Sequence, residues 1–388
     1  MALIRRKKVA LLIETSNAYA RGLLKGVIAY HQQHGNWSVF LPEQERGGTP
    51  PSWLSRWKPD GIIARIENEQ IAKAVKRTKR PLVDVSAAQM IANVPWVETN
   101  DHQVAKLAAE HLLQRGFRNI GFCGDPGFNW SNWRLKALQE ILAADGITCH
   151  VHQSTPKYSA DYSWEVESKR MAAWIKKLPK PIGILACYDI KAQQLLDVCR
   201  ESDLAVPEQV AVIGVDNDPL ICDLSNPPLT SIALNSGRIG FESARLLDRM
   251  MNGEQVSASS LLIDPQDIVV RQSTDVLAID DAAVGEALRY IREFATANIR
   301  VSDVVDHVGL SRRQLEHRFS RWLGRTPHQE IQRRRIERVK QLLRTTKLPV
   351  AEVADRCGFE HPEYLCVVFQ RETGQSISDY RRNVDVSQ

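Results

Sequence analysis

The chain has 388 residues, with 51 Lys or Arg against 46 Asp or Glu and a formal net charge of +5. That length allows two or three domains with sizeable cores, and the modest charge does not by itself announce a nucleic-acid partner. Seven cysteines scattered singly without a CxxC exclude a disulfide framework, and no apolar window reaches membrane-spanning length.

At the start, Arg5-Arg6-Lys7-Lys8 precedes a short apolar run, Val9 to Ile13, that Glu14 interrupts. This is too short for a secretory signal, so the expected location is the cytoplasm. The run instead predicts a strand, followed by an amphipathic helix through Leu23, Leu24, Val27, Ile28 and Tyr30. Further strands are predicted at Trp37–Leu41, Gly61–Ala64, Pro81–Val85 and Trp96–Thr99, then a helix over Asp101–Arg115. The rhythm continues with the strand Ile120–Cys123, a helix Trp133–Asp145, the strand Ile182–Cys187, a helix Ile190–Ser202 and the strand Val210–Val215. Near-continuous apolar strands alternating with helices predict parallel sheets covered on both faces. Some 270 residues of this pattern suit two lobes better than one sheet. Cys149-His150-Val151-His152 reads as a strand edge rather than a metal site.

Ligands in open α/β sheets sit beyond the carboxyl ends of the strands. Those turns carry no GxGxxG or Walker-type loop, so no cofactor is expected. They carry Asn17, Tyr19, Arg21, Trp130, Trp133, Arg134, Asp189 and Asp216. Carboxylates and guanidinium groups that pair with hydroxyls, beside aromatic rings, suit a sugar. Asp101, just after Thr99, is expected to cap a helix, and Trp133 and Tyr188 to pack or to bind.

After the strand Ile268–Arg271, the polar stretch Gln272–Asp281 reads as a linker, and from Ala282 the pattern is wholly helical. Two helix-turn-helix patterns follow: Val301–Val308, Gly309 and Arg312–Phe319, then Val350–Cys357, Gly358 and His361–Phe369. Each glycine stands where the chain must bend sharply. Between Arg312 and Lys347 there are twelve Lys or Arg against three acids, an excess suited to DNA phosphates. Arg312, Arg313, Gln314 and His317 in the first unit, and His361, Glu363 and Tyr364 in the second, stand where base edges would be read. Arg318, Arg321 and Arg325 are expected on phosphates, and Leu315, Phe319, Leu365 and Phe369 in the core.

The last hundred residues resemble the DNA-binding domain of the arabinose-operon regulator (AraC) family. The resemblance rests on Gly309-Leu310-Ser311, Phe319, Gly324-Arg325-Thr326-Pro327, Val353-Ala354, Gly358-Phe359, Phe369, Gly374 and Tyr380-Arg381. Leu365, Gln370 and Ile377 depart from it, where phenylalanine, lysine and proline are usual. The preceding part is similar to the core of lactose-repressor-type regulators and periplasmic sugar-binding proteins, through His111–Phe122, Val206–Asp216 and Pro228–Ile232. This combination resembles the xylose-operon regulators, also through Asn17–Arg21, Trp130 before Arg134, and Arg271–Asp275.

The resemblance implies an α/β two-lobe periplasmic-binding-protein-like core over residues 1–277. An all-α domain with two helix-turn-helix motifs would take 278–388. It further implies a cytoplasmic homodimer that binds D-xylose, with another pentose or a related sugar left open as effector, and that grips double-stranded DNA and engages RNA polymerase as an activator. The expected first lobe is residues 9–123 with a return near 235–258. A transport protein, an enzyme and a regulator with a non-sensing core are the other classes weighed. The sequence offers no signal peptide for the first, and no paired catalytic carboxylates or nucleophile elbow for the second.

Overall fold

A computed structural model of the chain describes residues 5–34, 37–43, 48–256, 260–275 and 281–385. It divides into two compact units, Met1–Val276 and Leu277–Gln388.

The first unit opens with β1 (Lys7–Leu12), α1 (Ala18–His34), β2 (Trp37–Phe40), α2 (Leu54–Trp57), β3 (Gly61–Ala64), α3 (Glu69–Thr78), β4 (Leu82–Asp84) and β5 (Trp96–Thr99). It continues with α4 (Asp101–Gln114), β6 (Asn119–Cys123), α5 (Asn129–Ala144), β7 (Cys149–His152), α6 (Trp164–Lys177), β8 (Ile182–Ala186) and α7 (Asp189–Glu201). β9 (Val210–Val215), α8 (Pro219–Leu224), β10 (Thr230–Ala233), α9 (Ser236–Met251), β11 (Ser260–Ile263) and β12 (Asp267–Val269) complete it.

These strands form two six-stranded sheets, in the orders β11-β5-β4-β3-β1-β2 and β12-β10-β9-β8-β6-β7. Every pairing is parallel except β10 with β12. Central strands such as β3, β8 and β9 are buried along their whole length, which is why their sequences are unbroken apolar runs rather than alternating ones.

The lobes meet where the chain crosses three times. Asn100 joins β5 to α4; its backbone N donates to Ile263 O at 2.8 Å and its Nδ2 to Asp264 Oδ1 at 2.8 Å. Gln266 N donates to Ala233 O at 2.8 Å, tying the other two crossings together. The lobe boundary therefore falls at residue 100, not 123: α4 and β6 belong to the second lobe, and β11 extends the return of the first lobe to Ile263. The strand–helix rhythm runs through the hinge unbroken, and a one-residue crossing leaves no Gly- or Pro-rich mark.

The stretch read as a linker is also partly core. Gln272–Thr274 form a 3-10 turn with Ser273 and Thr274 fully buried. Ser273 Oγ donates to Val212 O at 2.6 Å, and Thr274 Oγ1 lies 2.8 Å from His111 Nε2. Residues 276–280 of that stretch lie outside those described.

In the second unit, α10 (Ala282–Phe294) precedes α11 (Val301–Val308), α12 (Arg312–Leu323), α13 (Pro327–Thr345), α14 (Val350–Arg356), α15 (Pro362–Thr373) and α16 (Ile377–Asp385). Gly309 and Gly358 take φ +67° and +74°, left-handed values that a side chain would strain, and they set the turns of the two helix-turn-helix units. Ser311 and Thr326 cap the helices that follow them.

Helices α1 and α9 pack backbone to backbone on the first sheet. A Cβ on Gly240 would fall 1.9 Å from Leu23 O, whereas one on Gly237 would meet nothing within 4 Å. Gly240→Ala is therefore expected to lower the thermal midpoint of the first unit, with a loss of about 1–3 kcal/mol. Gly237→Ala should leave it unchanged or raise it slightly. Thermal denaturation followed by circular dichroism tests both; equal effects of the two substitutions would contradict the packing.

Candidate sugar pocket and nucleic-acid interface

A cavity of about 290 Å³ opens between the carboxyl ends of the two sheets. Ser16, Asn17, Ala18, Tyr19, Arg65 and Glu98 line it from the first lobe. Phe128, Trp130, Arg134, Lys157, Tyr158, Tyr188, Asp189 and Ile190, with Asp216, Asp218, Ile221 and Leu234, line it from the second.

Arg134 is a buried cation of the second lobe's wall. It is 4% exposed; its Nε donates to Asp101 Oδ1 at 2.7 Å and its Nη1 to Cys187 O at 2.5 Å. Burial alone would lower its pKa, but Asp101 and Asp216 outweigh that and raise it, so it stays charged. Its guanidinium lies 5.0 Å from the Trp130 ring centre, and Phe128 stacks on Trp130 at 5.0 Å. Asp101 thus has a different part from the cap expected of it: Asn100 caps α4, and Asp101 is the buried counter-ion of Arg134.

Asp216 sits at the end of β9 with φ +108°, and Asn217 follows at +50°. Such backbone is costly for residues with a Cβ and persists only where surrounding bonds hold it. Here Asp216 N donates to Ile232 O at 3.0 Å, Asn217 N to Ser231 Oγ at 2.9 Å, and Arg271 Nη1 to Asn217 Oδ1 at 2.9 Å. Asp189 braces the same turn, accepting from Ser231 Oγ at 2.5 Å and Asp218 N at 2.8 Å. Burial and the neighbouring Asp216 push its carboxyl pKa well above the usual carboxylate range. Asp189 lines the cavity, yet its oxygens are already engaged within the protein.

On the opposite wall, Asn17 Oδ1 accepts from Ala20 N at 2.8 Å and Asn17 Nδ2 donates to Glu14 Oε1 at 3.0 Å, so it starts α1 as well as facing the cavity. The Tyr19 hydroxyl donates to Glu98, and burial with that neighbour raises its pKa. Arg65 binds Glu14 and, at 2.5 Å, Glu67, and lies 5.3 Å from the Tyr19 ring centre; its Nε has no hydrogen-bond partner among the described residues.

Arg65 and Glu98 were not among the residues expected from sequence. Arg65 directly follows β3 and meets the strand-end rule. Glu98 is the one charged residue of the mostly buried strand β5, a signal in itself. Arg21 lies outside the cavity lining; its Nη2 is 4.0 Å from Asp218 Oδ2 of the other lobe. Trp133 packs edge-on against Trp96 across the lobes at 5.8 Å, and Asn129 Nδ2 donates to Ala87 O at 3.0 Å.

In the second unit Arg312, Arg313, Gln314 and His317 are exposed on α12, and His361, Glu363 and Tyr364 at the start of α15. Leu315, Phe319, Leu365 and Phe369 are fully buried. Gln314, expected to meet a base, is turned back: its Oε1 accepts from Ser311 N at 3.0 Å in a capping box. Arg312 Nε pairs with Glu316 at 2.9 Å, and Arg318 with Asp281 at 3.0 Å.

The basic block is partly structural too. Glu330 is fully buried and takes Arg325 at 2.6 Å, Arg333 at 2.9 Å and Arg334 at 2.9 Å, so Arg325, expected on a phosphate, is held by an ion pair within the domain. Buried Arg335 donates to Ala295 O at 2.8 Å. Arg313, Arg321, Arg338, Arg344 and Lys347 remain exposed.

Burial pushes Glu98 up to about 7, against the pull of Tyr19 and Arg65. A carboxyl whose folded pKa is raised favours the fold below its unfolded pKa, and that contribution is lost as pH rises through the folded value. Glu98→Gln keeps an oxygen for Tyr19 and Thr99 but cannot ionise. Its stability relative to the parent chain should therefore grow between pH 4.5 and pH 8, by up to about 3 kcal/mol. Urea titrations across that range check this; a pH-independent difference would show that Glu98 does not carry the raised pKa.

Residues 8–102 match the XylR N-terminal domain, 109–274 the periplasmic binding protein-like domain, and 304–383 a helix-turn-helix domain. The chain is 31% identical over 385 residues to the xylose operon regulatory protein of Escherichia coli K12, covering 97% of each chain. To its namesake in Haemophilus influenzae it is 30% identical over 384 residues, covering 97% of this chain and 98% of that one. The structure of a xylose-binding transcription activator, XylR, superposes with a TM-score of 0.84 at 30% identity over 98% of both chains. A LacI family regulator from Enterococcus faecium with bound ribose shares the core fold, with a TM-score of 0.57 at 21% identity over 70% of this chain and all of the other. With a similarity that runs through the sensor lobes and both helix-turn-helix units, the chain belongs to the family of xylose operon regulatory proteins, which are transcription regulators.

Proposed function

We propose that the chain is a D-xylose-dependent transcription activator, a regulator rather than an enzyme, that acts in the cytoplasm as a homodimer on double-stranded DNA and engages RNA polymerase there. The observation that carries the reading is the composition of the cavity. Arg134 and Asp216 from one lobe face Glu98, Arg65 and Asn17 from the other across a space of about 290 Å³. A pentose hydroxyl is both donor and acceptor, so carboxylates and guanidinium groups together satisfy it, and a ring that touches both walls is bound only when the lobes are closed. Differential affinity for the closed state is what shifts the equilibrium. In this reading Asp216, Arg134, Glu98 and Arg65 contact the sugar, Tyr19 and Trp130 shape its seat, and Asp189 and Asn17 hold the walls. Arg21 serves the closed state by reaching Asp218.

On the DNA side, Arg312, Arg313 and His317 from α12, with His361, Glu363 and Tyr364 from α15, face base edges. Exposed Arg321 and, once released by Asp281, Arg318 meet phosphate oxygens. Gln314 contributes through the cap that orients α12.

Calorimetric titration with D-xylose, L-arabinose, D-ribose and D-glucose tests the sensor. D-Xylose should give a saturable signal that Asp216→Ala weakens by about a hundredfold or more, because a charged recognition group that the sugar would cover is lost. Preference for another of the four would move the effector, and no heat from any sugar with folded protein would reject the sensing role.

A further inference from the structure

The two recognition helices occupy equivalent places in their units but present different chemistry. α12 turns Arg313, His317 and Arg321 outward. On α15, matched through the buried pairs Leu315 with Leu365 and Phe319 with Phe369, the place of His317 is taken by Val367. Val367 is 64% exposed, Tyr364 is 48% exposed, and Cys366 beside them is also exposed. At 100° per residue, Glu363, Val367 and Gln370 follow one another up the middle of the outward face, opposite Leu365, Val368 and Phe369. The valine is thus central on that face and not part of the core's border.

Scattered apolar side chains on a surface need no explanation, but here Val367 lies one turn beyond Tyr364 on the same face, with Cys366 on its other flank, on the helix expected to enter the major groove. Val367 has no donor or acceptor with which to read the hydrogen-bonding edge of a base pair. The groove offers one apolar group, the C5 methyl of thymine.

We propose that α15 reads thymine methyl groups, with Val367 as the central reader and Cys366 and Tyr364 completing the apolar surface around it. The two units of one chain then read by different means: α12 by charged and polar groups at base edges, α15 by methyl contact. This rests on the DNA-binding reading of the chain, and the test separates the two.

A randomised duplex library is selected with the full-length chain to define its site. Each thymine of that site is then replaced, one at a time, by deoxyuridine, which lacks only the methyl group. At one or two positions the replacement should weaken binding about fourfold, as expected for the loss of one buried methyl-sized group. In Val367→Ala that sensitivity should vanish at those positions and persist wherever α12 touches a thymine, while Val367→Ile should keep it. A methyl penalty that survives Val367→Ala at every thymine overturns the proposal, as does a site indifferent to deoxyuridine throughout. Failure to enrich any duplex would instead defeat the DNA-binding reading, and this inference with it.

Discussion

The buried pair between Asp101 and Arg134 is the interaction on which the sensor unit depends. A guanidinium only 4% exposed is tolerable because a carboxylate lies 2.7 Å from its Nε. Removing one partner of such a pair typically costs about 3–5 kcal/mol, since the other is left buried and uncompensated. Its position makes the pair more than a structural staple. Asp101 follows the hinge residue Asn100, Arg134 reaches the end of β8 through Cys187 O, and its charge is felt by Asp216 on the turn after β9. One arginine thereby joins the segment that links the lobes, two strand ends and the cavity, so a ligand bound to it would also touch that link.

Much of this was legible in the sequence because it follows from periodicity. Unbroken apolar strands between helices imply parallel sheets, and of the eight residues to which the strand-end rule pointed, Asn17, Tyr19, Trp130, Arg134, Asp189 and Asp216 line one cavity, while Arg21 and Trp133 lie outside its lining. What escaped the sequence depended on partners distant along the chain. Asp101 looks like a cap until Arg134, 33 residues on, is seen against it. The cap that Gln314 makes with Ser311 was also passed over, although Ser-x-x-Gln spacing is itself a sign of a capping box. The lobe boundary was misplaced because the hinge crossing is one residue wide.

The second unit shows the same economy of charge. Its run of basic residues is not a uniform phosphate-binding surface: Glu330 pairs with three of them, and Arg335 secures backbone carbonyls. This leaves a smaller set of exposed cations around two helices of different character. Glycines in the left-handed conformation at 309 and 358 set the turn that presents each helix. In thermodynamic terms, any coupling between sugar and DNA is reciprocal: whatever the sugar adds to DNA affinity, DNA adds to sugar affinity.

The central claim is that sugar favours the closed arrangement of the two lobes. The most direct test is the distance distribution between spin labels on unnatural residues at the exposed positions Lys25 of α1 and Lys136 of α5, measured without sugar and with saturating D-xylose. The account predicts a broad or two-component distribution that D-xylose collapses into one narrow component at the shorter distance. A distribution unchanged by sugar that calorimetry shows to be bound would contradict it, and would mean that the ligand occupies the cavity without moving the lobes.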